Sequence, residues 1–476
     1  MAQKQVVIVG AGISGLTAAY YAAKAGHKVK VFERNQIPGG VSTGWKRKGY
    51  FFEGGMHWLM GSTPRMMYHK YWLETGAITK DTKFSFKDPV FTYVNGDTRL
   101  HMWRSMDKCK AELMAFAPED KRAIARLCRQ VKTFAVYAGE ALSAVDWLKR
   151  IVLAIPFACM FVRLFRVSTI QYISKFKNPD VRNLLTGYID TYYNAVAFIF
   201  TLSGYEMGDS GFPEGGSVRM AANIADSATA AGAEILYRRN VEKVLVENGA
   251  VSGVKVDGET VPADNVIMTV DARAAMDRFF DQPIHEKWAE NIRHKAKTQT
   301  SMFLSIGVKA DLGKYPEVLR PKLKEALVLA GLSYEVLWVN NYSWKNGYAP
   351  EGCSTVTVIL TGDSYDWWKA AKEDGSYNEK KAEVTDAVVN ALCAFIPEIE
   401  GNVEVTDLAT PLTYERYCGT WRGSWMNAWT ERSIPIFGST KCKSIKGLQF
   451  CGQRTLLAGG LPVALMTGRG VALSIK

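Results

Sequence analysis

The chain has 476 residues, 47% of them hydrophobic and 22% charged, which is the balance of a globular protein too long for one continuous core. Lysine and arginine number 59 against 47 acidic residues, a net charge of +12. That excess fits a solvated basic surface or attraction to an anionic membrane, and no helix-turn-helix, RNP or zinc pattern accompanies it to point to nucleic acid.

The first predicted element is a buried strand, Val6-Val7-Ile8-Val9. It runs into Gly10, Gly12 and Gly15, spaced as G-x-G-x-x-G, and then into an Ala-rich helix ending near Gly26. A second strand from Lys28 delivers Glu33. Gly10 permits the tight turn, Gly12 lets the backbone approach a pyrophosphate, and Gly15 lets the helix pack on the sheet. The helix start around Ser14 presents free N–H groups and a positive dipole end to an anion. Glu33 stands where a carboxylate accepts hydrogen bonds from ribose hydroxyls, which fits FAD or NAD and disfavours NADP.

Glu33 and Arg34 lead to Gly39–Gly40 and then to GYFFEGGMHWL, residues 49–59. Gly39, Gly40, Gly49, Tyr50, Phe52, Gly55, His57 and Leu59 resemble the glycine pair and flavin-passing element of the phytoene desaturase, carotenoid isomerase and retinol saturase family, a branch of the amine-oxidase-like flavoproteins. The resemblance implies FAD, held in part by Arg34, Gly39, Gly40, Gly55, Met56 and His57. Val41 replaces the family's usual basic residue, so no charged pyrophosphate contact is expected there. His57 is also the candidate for catalysis by proton transfer. Its alternative is a buried histidine bonded to backbone.

Residues 147–176 contain an apolar run, Ile151 to Val162, too short to span a bilayer and interrupted by Pro156. Lys149, Arg150, Arg163 and Arg166 flank it. It reads as a buried helix of the substrate domain, or as an interfacial element at the mouth of a substrate tunnel. An amphipathic helix is expected over 180–193. Ser217 is then expected to cap a helix that Gly232 ends, and Asn248–Gly249 and Asp257–Gly258 signal two hairpins. In the resembling family, the position of Val241 offers its backbone to the adenine.

The aromatic-rich segment 411–429 follows. Tyr414, Tyr417, Trp421 and Trp425 are its candidates for a flat hydrophobic tunnel, with core packing at the domain junction as the alternative. Residues 447–475 read as strand, Gly-rich loop and helix, with Pro462 in the first turn. The resemblance places Gly452, Gly460, Leu461, Pro462 and Val463 at the flavin, where the helix start stabilises negative charge on the reduced ring.

Together these readings imply an α/β fold. Residues 1–75, 205–290 and 435–476 would form a discontinuous Rossmann-like FAD-binding domain of the glutathione-reductase type. Residues 76–204 and 291–434 would form an interleaved α+β substrate domain. The implied activity is FAD-dependent oxidation or reduction at C–C bonds of a long apolar polyene or isoprenoid, by hydride transfer with flavin N5. Desaturation, saturation and isomerisation all remain open. Flavin amine oxidation is the first alternative, and Gln453 counts against it by standing where amine oxidases usually carry an acid. A non-enzymatic prenyl-binding protein of the GDP-dissociation-inhibitor type is the second, and the intact flavin-facing glycines count against it. The expected partner is a hydrophobic small molecule, with no metal. Eight scattered cysteines without C-x-x-C spacing, and a first strand that leaves no room for a leader, suggest a cytoplasmic protein, with a peripheral membrane surface as a further option.

Overall fold

In the computed structural model, which describes residues 2–140, 143–186, 192–430, 441–455 and 459–475, β1 (Gln5–Val9) is buried on both faces from Val6 onward, as a central parallel strand must be. It leads into α1 (Ile13–Lys24) and β2 (Lys28–Glu33). β1 pairs with Asn265–Met268 on one side and with β2 on the other, all parallel. Leu448–Phe450 and Glu234–Tyr237 complete a five-stranded parallel sheet. Strands from three distant parts of the sequence therefore meet in one Rossmann-like layer.

The two faces of β1 seed two cores, because alternate side chains point in opposite directions. Val6 and Ile8 pack under α1, Gly216–Ala230 and Leu461–Leu473. Val7 and Val9 pack under the three-stranded antiparallel sheet Val241–Glu247, Ala250–Val256 and Glu259–Pro262. Both hairpins of that sheet turn at the expected pairs, with all four residues, Asn248, Gly249, Asp257 and Gly258, at positive φ.

A larger mixed sheet of eight strands is built from residues 91–102 and 301–409. Its order is Val403–Ala409, Ser301–Val308, Ser354–Thr361, Trp338–Asn341, Val318–Leu329, Phe91–Asn95 and Thr98–Met102, with Leu332–Val336 hairpinned onto Val318–Leu329. Helices from residues 106–206 pack at its end around a separate core.

Two local expectations are corrected. Ser217 lies inside the helix Gly216–Ala230, whose N-cap is Gly215 at φ +81°. The Ser217 N–H is instead accepted by Glu53 Oε2 at 3.1 Å, so a buried carboxylate from a distant strand satisfies that end of the helix. The apolar run 151–162 is neither interrupted nor buried. It lies within one helix, Ala144–Phe165, that continues through Pro156. Pro156 and Val152 are both exposed, so the turn in which Pro156 offers the Val152 carbonyl no N–H lies on the surface. Leu164 is the one buried residue of this helix, while Trp147, Leu148, Ile151, Val152 and Ile155 face outward, Ile155 to 77%. Among the described residues no helix is long and apolar enough to cross a membrane. The helix expected over 180–193 is seen as Pro179–Thr186, and residues 187–191 lie outside the described residues.

The glycine spacing acts through close contact. Gly10 sits at φ +102° and its N–H donates to the Phe32 carbonyl at 2.9 Å. A Cβ on Gly15 would overlap the Gly10 carbonyl, and one on Gly468 would overlap the Ser14 carbonyl. Gly15→Val should therefore cost about 1–3 kcal/mol of stability by chemical denaturation. Gly470→Ala, where a Cβ meets open space, should be neutral or stabilise by up to about 1 kcal/mol.

Candidate active site

A cleft opens where β1 and β2 end. Gly10, Gly12, Ser14, Glu33, Arg34, Gly39, Gly40, Gly55, Val241, Gly452, Gly460 and Leu461 all line it. Gly12 caps α1 and bridges to Gly39, and a Cβ there would find its nearest neighbour 3.9 Å away. Gly460 caps Leu461–Leu473 at φ +84°, again with nothing nearer than 3.9 Å. Two helices thus begin at one cleft, with backbone and no side chain at the cap.

Glu33 is buried at the end of β2. Its Oε2 accepts the Ala11 N–H at 2.8 Å, and its Oε1 accepts the backbone and side-chain N–H groups of Asn35, both at 2.8 Å. A carboxylate has about four acceptor sites, so one stays open toward a hydroxyl in the cleft. Open space over two helix starts, a buried acid with spare acceptor capacity and a cradle of glycines fit a dinucleotide.

Some candidates stand elsewhere. Gly15 lies behind the wall, at the crossing of α1 and β1. Met56 points into the core under α1. Leu461 and Ala464 line the cleft, but Pro462 and Val463 do not, because only one side of that first turn faces it.

A second cavity of about 630 Å³ adjoins the cleft and shares Val41, Gly55 and Trp425 with it. The eight-stranded sheet supplies one wall through alternate residues, Ser301 with Phe303 and Ile359 with Thr361. Of the four aromatic tunnel candidates, Tyr414 and Trp425 line this cavity. Tyr417 lines the cleft instead and is half exposed. Trp421 lines neither, because its ring is covered by the Arg273 guanidinium at 3.9 Å.

His57 lines the second cavity rather than the cleft. Its Nδ1 is buried without a hydrogen-bond partner, and its ring stacks near Phe303 at a centroid distance of 6.4 Å. Burial, with a smaller contribution from the charge of Lys87, lowers its pKa to about 4, so the ring is neutral at pH 7. Glu53 holds the turn that carries it. Glu53 Oε1 accepts the Gly55 and Met56 N–H groups at 3.2 and 3.3 Å, and Oε2 accepts the Ser217 N–H and the Tyr348 hydroxyl. Burial raises the Glu53 pKa, while these bonds and Lys345 oppose the rise.

Sequence reasoning missed a buried ion pair on the cleft wall. Arg454 Nη1 lies 3.1 Å from Asp271 Oδ2, with side chains 6% and 2% exposed. Asp271 also caps Ala272–Arg278 and accepts the Trp421 N–H at 2.8 Å, and Arg454 donates to Ser424. An Asp between a strand and a helix reads locally as a cap, and nothing local pairs it with Arg454. Residues 456–458 of the same loop lie outside the described residues.

The family model of flavin-containing amine oxidoreductases matches residues 13–475. Similar proteins include a chloroplastic prolycopene isomerase of Daucus carota, 24% identical over 86% of this chain and 70% of its own length. An all-trans-retinol 13,14-reductase of Danio rerio is 24% identical over 97% of this chain and 85% of its own. A 1-hydroxycarotenoid 3,4-desaturase of Flavobacterium sp. (strain P99-3) is 23% identical over 98% of both. Among solved structures, an oxidoreductase from Methanosarcina mazei superposes with a TM-score of 0.63 at 16% identity, over 98% of this chain and 100% of its own. A double mutant of putrescine oxidase gives 0.66 at 17%, over 99% and 98%, and both share the fold.

Asp271→Asn should leave the Arg454 charge buried and uncompensated, at a cost of about 3–5 kcal/mol in chemical denaturation. The double variant Asp271→Asn with Arg454→Met should recover much of that loss. A single-variant cost below about 1 kcal/mol would show that the pair is solvated.

Proposed function

This chain belongs to the flavin-containing amine oxidoreductase family, and we propose that it acts on carbon–carbon bonds of a long apolar polyene or isoprenoid, by desaturation, saturation or isomerisation. It is an FAD-dependent oxidoreductase. The observation that carries the substrate reading is the second cavity, which meets the cleft at Gly55 and Trp425. The relatives named for carotenoid and retinol conversion support it.

In this reading the cleft would hold FAD, which would supply hydride chemistry. The α1 start at Gly12–Ser14, with Gly39 and Gly40, would take the pyrophosphate, Glu33 would accept from a ribose hydroxyl, and Val241 would border the adenine. The helix start at Gly460–Leu461 stabilises negative charge at the flavin. Gln453 fixes that start, since its Oε1 accepts the Gly460 N–H at 2.9 Å and its Nε2 donates to the Trp425 carbonyl at 2.5 Å. Trp425, Tyr414 and Phe303 pack the substrate against the flavin and exclude water. Neutral His57 can accept a proton at its free Nδ1.

Anaerobic mixing of the oxidised enzyme with detergent-dispersed phytoene, retinol and aliphatic amines tests this. Bleaching of the flavin spectrum by a polyene is expected, and bleaching by an amine alone overturns the reading. Gly460→Val, which fills the open space at the cap, should abolish turnover while the adenosine half still binds.

We also propose that the helix Ala144–Phe165 rests on an anionic lipid surface. Its outer face is apolar, Lys149, Arg163 and Arg166 are exposed around it, and the chain carries a charge of +12. Arg150 is committed elsewhere, donating to the Val136 and Gly139 carbonyls. The protein should float with phosphatidylserine vesicles at low ionic strength and less so at high salt. Ile151→Asp with Ile155→Asp should release it. Absence of flotation at low salt refutes the contact.

A further inference from the structure

Arg320 is a buried charged residue of the second cavity that the proposed chemistry does not use. It is 4% exposed yet lines the cavity, on the wall that the cleft does not share. The strand Val318–Leu329 holds it from below, where Leu319–Pro321 pair with Thr92–Val94. Its guanidinium lies 5.6 Å from the ring centroids of both Phe91 and Trp338. One N–H reaches the Leu184 carbonyl at a long 3.4 Å, and Nε has no partner. The titratable neighbour that acts on it is the Tyr93 hydroxyl, which itself donates to Asp180. Among the described residues no carboxylate stands within ion-pair distance of it.

A buried guanidinium without a counter-charge is costly, and protein interiors normally pair one. Burial pushes its pKa down to about 9, which leaves it charged at pH 7. The two rings supply cation–π attraction but cannot fill its N–H edge. Asn183, Thr186 and Ser333 line the cavity as neutral polar groups. Glu335 lines it too, but is exposed, so solvent screens its charge at the mouth.

We propose that the substrate carries a carboxylate at one end and that Arg320 binds it, so that the apolar chain runs past Trp338 and Phe303 to Trp425 at the cleft. This rests on the polyene reading and narrows it from a hydrocarbon to a long unsaturated acid. A single guanidinium matches a single carboxylate in both charge and planar fork geometry, whereas a diphosphate would bring more negative charge than this wall offsets. Bound there, the anion would meet the N–H groups that the guanidinium turns to the cavity and would fix which carbon of the chain reaches the flavin.

The test compares all-trans-retinoic acid with all-trans-retinol, which share a skeleton and differ at the end group. Binding to the FAD-loaded wild-type protein is read from quenching of tryptophan fluorescence. The acid should bind about tenfold more tightly or better. Arg320→Gln should bring the two ligands to within about twofold of each other, and Arg320→Lys should keep part of the preference. Equal binding of acid and alcohol to the wild type refutes the inference without any variant, as does an acid preference that survives in a folded, FAD-loaded Arg320→Gln protein. If neither retinoid nor phytoene binds while FAD does, the polyene reading fails instead, so the two failures are distinguishable.

Discussion

Backbone contact at glycine is the constraint on which the cleft depends. α1 can lie on β1 only because Gly15 offers no Cβ to the Gly10 carbonyl, and Leu461–Leu473 can lie on α1 only because Gly468 offers none to the Ser14 carbonyl. These two contacts bring two helix starts to one place. The cleft lining there is backbone, which carries N–H groups and the positive ends of two dipoles without a desolvated side-chain charge. A long anionic dinucleotide bound there would place the negative charge of its pyrophosphate and of its reduced ring at such helix starts.

Around this frame, position is held by buried charges that each tie several elements together. Glu53 joins the strand Tyr50–Glu53, the start of Gly216–Ala230 and the Tyr348 loop, and so fixes Gly55 and His57 where cleft and cavity meet. Asp271 and Arg454 join Ala272–Arg278, the Trp421 turn and the loop before the last helix. Desolvating such groups is costly, and the cost is offset only when every oxygen and N–H finds a partner. The arrangement is correspondingly rigid, and a site that must hold a carbon against a flavin ring has a use for that rigidity.

The parts legible in the sequence are those whose cause is local. The G-x-G-x-x-G turn, Glu33 at the end of β2, the two hairpin turns and Pro462 in the first turn of the last helix each follow from what a few neighbouring residues can do. Composition misled where direction mattered. The run 151–162 is apolar enough for a core, but the 3.6-residue period sends Ile151, Val152 and Ile155 outward and Phe157, Met160 and Phe161 toward the helical core. Tyr417 and Trp421 are as aromatic as Tyr414 and Trp425, and one was turned to the cleft and the other taken by Arg273. Ser217 looked like a cap because its type suits one, but the helix begins before it at Gly216, capped by Gly215, and its N–H is accepted by a carboxylate 164 positions away. Arg320, Asp271 and Arg454 had no local signature, since their meaning comes from what the fold brings beside them.

Two features point to one kind of substrate. An exposed apolar helix with basic flanks suits a lipid surface whose headgroups are anionic. A cavity with aromatic walls and one buried guanidinium suits a chain that is apolar along its length and anionic at one end. Such a molecule lies in a bilayer with its charge among the headgroups, and taking it up requires replacing both environments. Trp338, Phe303 and Trp425 replace the acyl chains, and Arg320 replaces the water and counter-ions of the headgroup region. On these two proposals the protein would lose little by moving the substrate from membrane to flavin, and the fixed charge at one end of the cavity would decide which bond arrives there.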